Sequence, residues 1–359
     1  MNAANELVVF HVGGGDDDIG PTQALLKLPG VVVRLYVFEI IEDDGYTTVK
    51  RSSDFDRAEA QILPIGIGEN DGEQVDFKVN RHPLSSSVLQ GSWKVAHNDP
   101  SYSGIRDWGE NTEVERSFKA TLRSIDSLVA EGVVPAPDFL SLDIQGLELA
   151  AMRGARSSIQ DTVVGIVCES ELTEIYEKQG LFHQQLSFLE GMSMRFVDFL
   201  TRQNWFVGDP VGKGFFTVAE SLFLKHVHPA MPGGGNLVGN TVVSPKEFGP
   251  ARLAKLALVS FAFSRFGYFL MIFSLLSAEY PSEFKEMRGG ELEPYFMIWE
   301  SWDGGEGWEE EERPEQRFEA LVNSIFPGYF PIPAPIPNLS FTKKVLRALR
   351  QYRRQGNLQ

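Results

Sequence analysis

The feature that most limits how this chain can fold is a series of apolar, β-branched runs in its first half, each bounded by glycine, proline or acid. LVVFHV (7–12) ends in glycines and VVVRLYVFEI (31–40) ends in acid. AQILPIGIG (60–68) runs into a turn, PDFLSLDIQG (137–146) closes on an aspartate and a glycine, and TVVGIVCESE (162–171) closes on two glutamates. A strand that is apolar at nearly every position has both faces buried, and such strands belong to mostly parallel sheets covered by helices. Helical spacing marks the stretches between: TQALLKL (22–28), FKATLRSIDSLVAEG (118–132), LELAAMRGA (147–155) and LFHQQLSFLEGMSMRF (181–196). QVDFKV (74–79) alternates as a strand, and NWFVGDP and AESLFLKH (to 226) are placed to close the sheet. The segment 80–117 has little periodicity and is long for a connection, and long loops in compact domains are often functional.

In an open parallel sheet, ligands bind beyond the carboxyl ends of the strands where the strand order reverses, so the loop after the first strand is the first place to look. That loop reads VVFHVGGGDDDIG (8–20). Gly13 and Gly15 fit the start of G-x-G-x-x-G, but the third glycine position is Asp18. Three carboxylates oppose a pyrophosphate, and no Gly-Lys-Ser/Thr follows to make a P-loop. A cationic nucleoside fits better. S-adenosylmethionine carries a sulfonium and an ammonium, both compatible with nearby acids, and its ribose asks for an acid at the end of the second strand. Glu39 stands there. Adjacent aspartates lack the alternate spacing of a calcium loop, so no metal is expected at Asp16–Asp18. His226 and His228 form a pair without a third ligand and read as surface residues.

PDFLSLDIQGLELAAMRGA (137–155), preceded by RSIDSL (123–128), resembles the "tlDsl … DflKiDvEGaElevLkGa" block of the FkbM family of S-adenosylmethionine-dependent methyltransferases. FHVGGG is similar to that family's DVGAN loop, LYVFEI to its "vyaFEP", PIGIGENDGEQVDFKV to its "alsdkdGevtFyv", SSSVL (85–89) to its "sSsll", and GIVCESELTEIYEKQGLF to its "ivvEv … Y..qg". The likeness spans residues 7–226. It implies a Rossmann-like class I methyltransferase fold, S-adenosylmethionine as cofactor, and O-methylation of a hydroxyl on a sugar, glycan or secondary metabolite. Two departures stand out. His11 occupies the place of the acid that opens the glycine loop, and Gln145 that of the glutamate in "DvEG". They leave open a catalytically impaired relative that binds the cofactor as a scaffold module.

Methyl transfer needs positioning, exclusion of water and a route for the acceptor proton. Asp143 is the first candidate for that route, as base or orienting group, its alternative being a helix N-cap. Glu169 closes the next strand and is the second catalytic candidate. For the cofactor, the candidates are His11, Gly13, Gly15, Glu39, Asn70, Asp71, Ser86 and Asp143. Asn70 and Asp71 lie on a turn expected near the adenine, and Ser86 sits in a run of hydroxyls.

The totals bound the remaining choices. A formal net charge of -16 over 359 residues opposes nucleic-acid binding, which needs clustered lysine and arginine. The single cysteine, Cys168, lies in an apolar run and reads as a buried small side chain; it excludes an internal disulfide. No leader-like start is present and Arg265 interrupts the longest apolar region (251–278), so a cytoplasmic chain without a transmembrane segment is expected. Three parts are expected: a methyltransferase domain (1–228), a glycine-rich linker (229–244), and a helical extension (245–359) with an acidic segment, a proline-rich segment and a basic tail. The extension is suited to capping the cleft or to pairing two copies as a homodimer.

Overall fold

Strands form where the apolar runs lie. In the computed structural model, residues 5–13, 19–41, 59–92, 108–205, 215–228, 242–288, 290–302 and 314–329 are described. Ten strands occur among them: β1 (Glu6–Gly13), β2 (Val32–Phe38), β3 (Glu59–Leu63), β4 (Gly66–Ile67), β5 (Glu73–Asn80), β6 (Val114–Arg123), β7 (Phe139–Asp143), β8 (Gly165–Glu171), β9 (Met194–Trp205) and β10 (Phe215–Lys225). Seven make one sheet in the order β3-β2-β1-β7-β8-β10-β9, and β4-β6-β5 make a small second sheet. The first five of the large sheet run parallel; β10 runs antiparallel to both β8 and β9. This is a mixed, mostly parallel sheet with helices, a Rossmann-like architecture. The chain leaves β1 toward β2 and β3 and returns to β1's other edge as β7, so the strand order reverses at β1 and β7.

Helices cover the sheet. α1 (Ile125–Ala130) starts at Ser124, whose hydroxyl accepts from the Ser127 amide at 3.1 Å. α2 (Glu148–Gly154) and α3 (Arg156–Asp161) follow β7, and α4 (Phe182–Glu190) precedes β9. Phe10, Phe38, Leu140, Met152, Ile166 and Phe223 meet in the core between sheet and helices. Lys225, buried at the end of β10, donates to the carbonyls of Ile159, Gln160 and Met192 at 2.8, 3.2 and 3.0 Å. One ammonium thereby satisfies the open carbonyls at the end of α3.

The apolar region near 260 is a helix pair, α5 (Pro250–Ala262) and α6 (Phe266–Glu279), broken at Ser264, whose φ is 58°. α5 is tied to the sheet: Lys255 reaches both oxygens of Asp138 at 2.9 and 2.8 Å, and Phe263 stacks on Phe139 at 5.6 Å. No helix among the described residues is long and apolar enough to cross a membrane. The chain divides into two compact units, 1–293 and 294–359. In the second, Tyr295 packs on Phe326 and Trp302 on Phe318.

Three elements differ from the reading of the sequence. Pro64, with no N–H to donate, divides AQILPIGIG, so β3 stays in the large sheet while β4 pairs with β6. FKATLR belongs to β6, not to a helix: it pairs with β5 through alternating Phe118, Ala120 and Leu122, and only IDSLVA is helical. Likewise MRF (194–196) opens β9 instead of extending α4. Most of the acidic segment, the proline-rich segment after Tyr329 and the basic tail lie outside the described residues.

Candidate active site

A cleft of about 1200 Å³ opens at the carboxyl ends of β1, β2, β7 and β8. The start of β10 and the end of β9 meet it from one side. The small sheet supplies the opposite wall through Phe77, Val79, Arg116 and Phe118. His11, Gly13, Glu39, Ser86, Asp143 and Glu169 all line this one cleft. Gly15 and Asp16–Asp18 lie outside the described residues. Asn70 and Asp71 are not among the lining residues. Asn70 donates to Glu73 at 3.3 Å, and Asp71 accepts from the Arg123 guanidinium, which holds its carboxyl below the usual carboxylate range.

The floor of the cleft is the β1–β7 junction. Gly13 pairs with Asp143 across the two strands and has φ 82°, a left-handed value that disfavours any side chain. A Cβ at this position would stand 1.9 Å from the Asp143 carbonyl oxygen. Glycine here lets β1 turn directly against the end of β7. Two pairs further in, His11 Nδ1 lies 2.9 Å from Ser141 Oγ, which also accepts from Thr22 Oγ1 at 2.8 Å. The ring edge is thus fixed by hydroxyls, and both His11 and Ser141 face the cleft.

After Asp143 the chain makes a tight turn with Gln145 at φ 54° and Gly146 at φ 101°. Glu148, fully buried in the first turn of α2, holds this turn by accepting from the amides of Ile144 (2.9 Å) and Gly146 (3.1 Å). The N-cap residue of α2 is Leu147, with no side-chain cap, and Asp143 faces the cleft. Gln145 reaches across to the carboxylates. Its Nε2 donates to Asp143 Oδ1 at 2.9 Å and to Glu169 Oε2 at 3.0 Å. Its Oε1 lies 2.9 Å from the hydroxyl of Tyr176, a buried side chain that is also 2.9 Å from the Ser85 carbonyl oxygen. The Ser87 hydroxyl donates to the Gln145 carbonyl at 2.8 Å. The serine run thus locks onto the carboxylate floor, with Ser86 at the cleft surface.

Four carboxyl groups gather here. Burial raises Glu148 to about 7, against the usual carboxylate value. Burial also pushes Glu169 well up, reinforced by the charges of Asp143, Glu171 and Glu148. Glu169 keeps some exposure to the cleft. Glu171 is fully buried, and burial pushes its carboxyl well above the usual carboxylate range. Cys168 is sealed in the core, and burial pushes its thiol up and out of nucleophilic use.

Several lining residues carried no sequence signal. Gln23, Trp108, Arg116, Thr201, Gln203 and Glu220 reach the cleft from separate elements. Trp108 packs edge-on against Tyr176 at 5.4 Å and donates to the Ile175 carbonyl at 3.2 Å. No cluster suited to a metal ion occurs among the described residues.

Residues 36–196 match the family model of the Methyltransferase FkbM domain, from within β2 to the start of β9. Among solved structures, the chain is similar to Methyltransferase FkbM from Methylobacillus flagellatus KT. The two are 14% identical, the match covers 60% of this chain and 44% of that chain, and the TM-score is 0.31. The chain thus spans less than half the length of that structure. No curated protein matches the chain.

Proposed function

We propose, from the match of residues 36–196 to the family model of the Methyltransferase FkbM domain, that this chain is an S-adenosylmethionine-dependent O-methyltransferase acting on a hydroxyl of a sugar, glycan or secondary metabolite. One observation carries the reading: the Gly13 turn, an acid at the end of β2 and an acid at the end of β7 face a single cleft. These are the donors and acceptors a cationic nucleoside requires. The Glu39 carboxylate accepts from the two ribose hydroxyls, the Gly13 turn lets the backbone approach the amino-acid part, and Ser86 offers a hydroxyl to its carboxylate. The acids at the cleft balance the positive charge of a cationic nucleoside.

When bound, the cofactor supplies an electrophilic methyl group. The chain's own residues bring the acceptor hydroxyl in line with it and take its proton. Asp143 is half-buried at the carboxyl edge of β7, where it would take that proton. Glu169, beside it at the end of β8, would help orient the acceptor hydroxyl. His11, fixed through Nδ1, presents its other edge to the ligand.

A second reading is favoured by the same His11. Its ring replaces an acid at the cofactor's amino-acid end, which suits a chain that binds the cofactor as a scaffold without turnover. Calorimetric titration with S-adenosylmethionine and S-adenosylhomocysteine tests the cofactor. Micromolar binding is expected, and absence of binding by both ligands overturns the reading. Asp143→Asn then separates the alternatives, since it abolishes turnover in an enzyme and leaves a binding module nearly unaffected.

A further inference from the structure

Gln145 stands between two acids that the proposed chemistry uses, and nothing in its backbone setting recommends a long side chain there. Its φ of 54° is a left-handed conformation that most residues avoid. What it does is unusual: one NH₂ group donates one hydrogen to Asp143 and the other to Glu169. The orientation of the amide is fixed by chemistry. Rotated end for end, its oxygen would face two acid oxygens and its NH₂ the Tyr176 hydroxyl, so the two carboxyl groups hold the NH₂ toward themselves.

Without this amide, two adjacent carboxyl groups settle by sharing a proton between their oxygens, because like charges at contact cannot both ionise in a poorly solvated place. The amide offers a second arrangement, in which each carboxylate accepts its own N–H and the pair carries two negative charges. Which arrangement holds depends on what else occupies the cleft. Several groups face Glu169 from the surrounding elements. Asp143 comes from β7, Glu148 from α2, Glu171 from its own strand, and Glu220 lies opposite it on β10. Tyr176 stands behind Gln145. All but Tyr176 are acids, and Arg116 on β6 is the one lysine or arginine among the described residues that line the cleft. In this setting the empty cleft favours the protonated pair, and a ligand bearing positive charge favours the doubly ionised one.

We propose that Gln145 is a positioning residue that makes the Asp143–Glu169 pair responsive to ligand charge: a cationic ligand entering the cleft drives the shared proton from Glu169 into solvent, and a neutral one does not. The inference rests on the cofactor reading above and adds that the site distinguishes the methylated from the spent cofactor by a proton. The balance is simple. Glu169 passes from carboxylic acid to carboxylate, the proton goes to buffer, and the gained charge offsets the sulfonium.

The test is isothermal titration of the full chain at pH 7 in phosphate and in Tris, whose ionisation heats differ and so count protons. S-adenosylmethionine is expected to release up to one proton more than S-adenosylhomocysteine. Gln145→Met, which keeps the volume and loses both donors, is expected to erase that difference, and Glu169→Gln erases it by removing the proton itself. If Gln145→Met does not fold, Glu169→Gln still decides the matter. Equal proton counts for the two ligands in the unmodified chain, or a difference that survives in either variant, overturn the inference alone. Binding of neither ligand overturns the cofactor reading and this inference with it.

Discussion

At the scale of single residues, the acids at strand ends were readable in sequence because a β-branched run that stops at a carboxylate announces its own edge. Glu39 and Asp143 line the cleft for that reason. Glu39→Ala is expected to weaken S-adenosylmethionine binding at least tenfold, about 1.4 kcal/mol, and unchanged affinity by calorimetry would remove Glu39 from the site. Asp143→Asn is expected to lower methyl transfer by about 10²-fold or more, measured as product formed on an identified acceptor. Other contacts were not readable. Tyr176 meets Ser85 across 91 positions and Gln145 across 31, and no local pattern links residues so far apart. Gln145 showed in the sequence as a departure from a motif, but its bridge depends on a left-handed turn that only the fold supplies. Asn70 and Asp71 were placed by turn chemistry alone. Asp71 spends its charge on Arg123, which approaches from β6, a strand that the sequence reading had taken for helix.

At the scale of elements, the apolar strands and the alternating β5 were legible, and β6 was not. β1, β2, β7 and β8 have long apolar runs; β6 is exposed along most of its length, so its FKATLR spacing imitates a helix. Two predictions belong here. The first concerns β8. Glu148, Glu169 and Glu171 hold protons in the folded chain at pH values where the unfolded chain has released them, because burial raises all three. The folded state then binds more protons than the unfolded state above the ordinary carboxylate range, so stability falls as pH rises from about 4.3 through 7 and beyond. Glu171→Gln keeps the shape and removes the ionisation. Its melting temperature is expected to match that of the parent near pH 4.5 and to exceed it at pH 8, by roughly 1–3 kcal/mol in stability. Scanning calorimetry across that range checks the sign. The second concerns β1. Gly13→Ala places a Cβ into the Asp143 carbonyl at a left-handed φ. It is expected to disturb the β1–β7 edge, with a lower melting temperature and loss of cofactor binding together.

At the scale of the molecule, an alternation of strands and helices was enough to foresee a Rossmann-like sheet, because few topologies satisfy right-handed, unknotted connections between buried parallel strands. The small sheet that walls the cleft was not foreseen, since it depends on Pro64 diverting the chain and on β6 returning from beyond residue 108. If the cleft holds the cofactor, the whole first unit is stabilised by mass action. Saturation at a hundred times the dissociation constant is expected to add about 2.7 kcal/mol, read as a rise in the thermal transition that tracks ligand concentration. A transition that does not move with S-adenosylmethionine would count against the site.

The pairing of β1 with β7 also governs how the protein is made. Val8 and Asp138, like His11 and Ser141, are 130 positions apart and hydrogen-bonded. On a ribosome adding 5–20 residues per second, β1 emerges on the order of ten seconds before the strand that covers its second edge. During that interval the nascent chain can pair β1 only on one side, and Phe10 and Val12 have no finished core to enter. A messenger that slowed translation ahead of residue 138 would lengthen the exposure of a sticky half-sheet. Yield of intact protein, more than the activity of each molecule, would then depend on the pace of synthesis and on chaperones that wait at the tunnel exit.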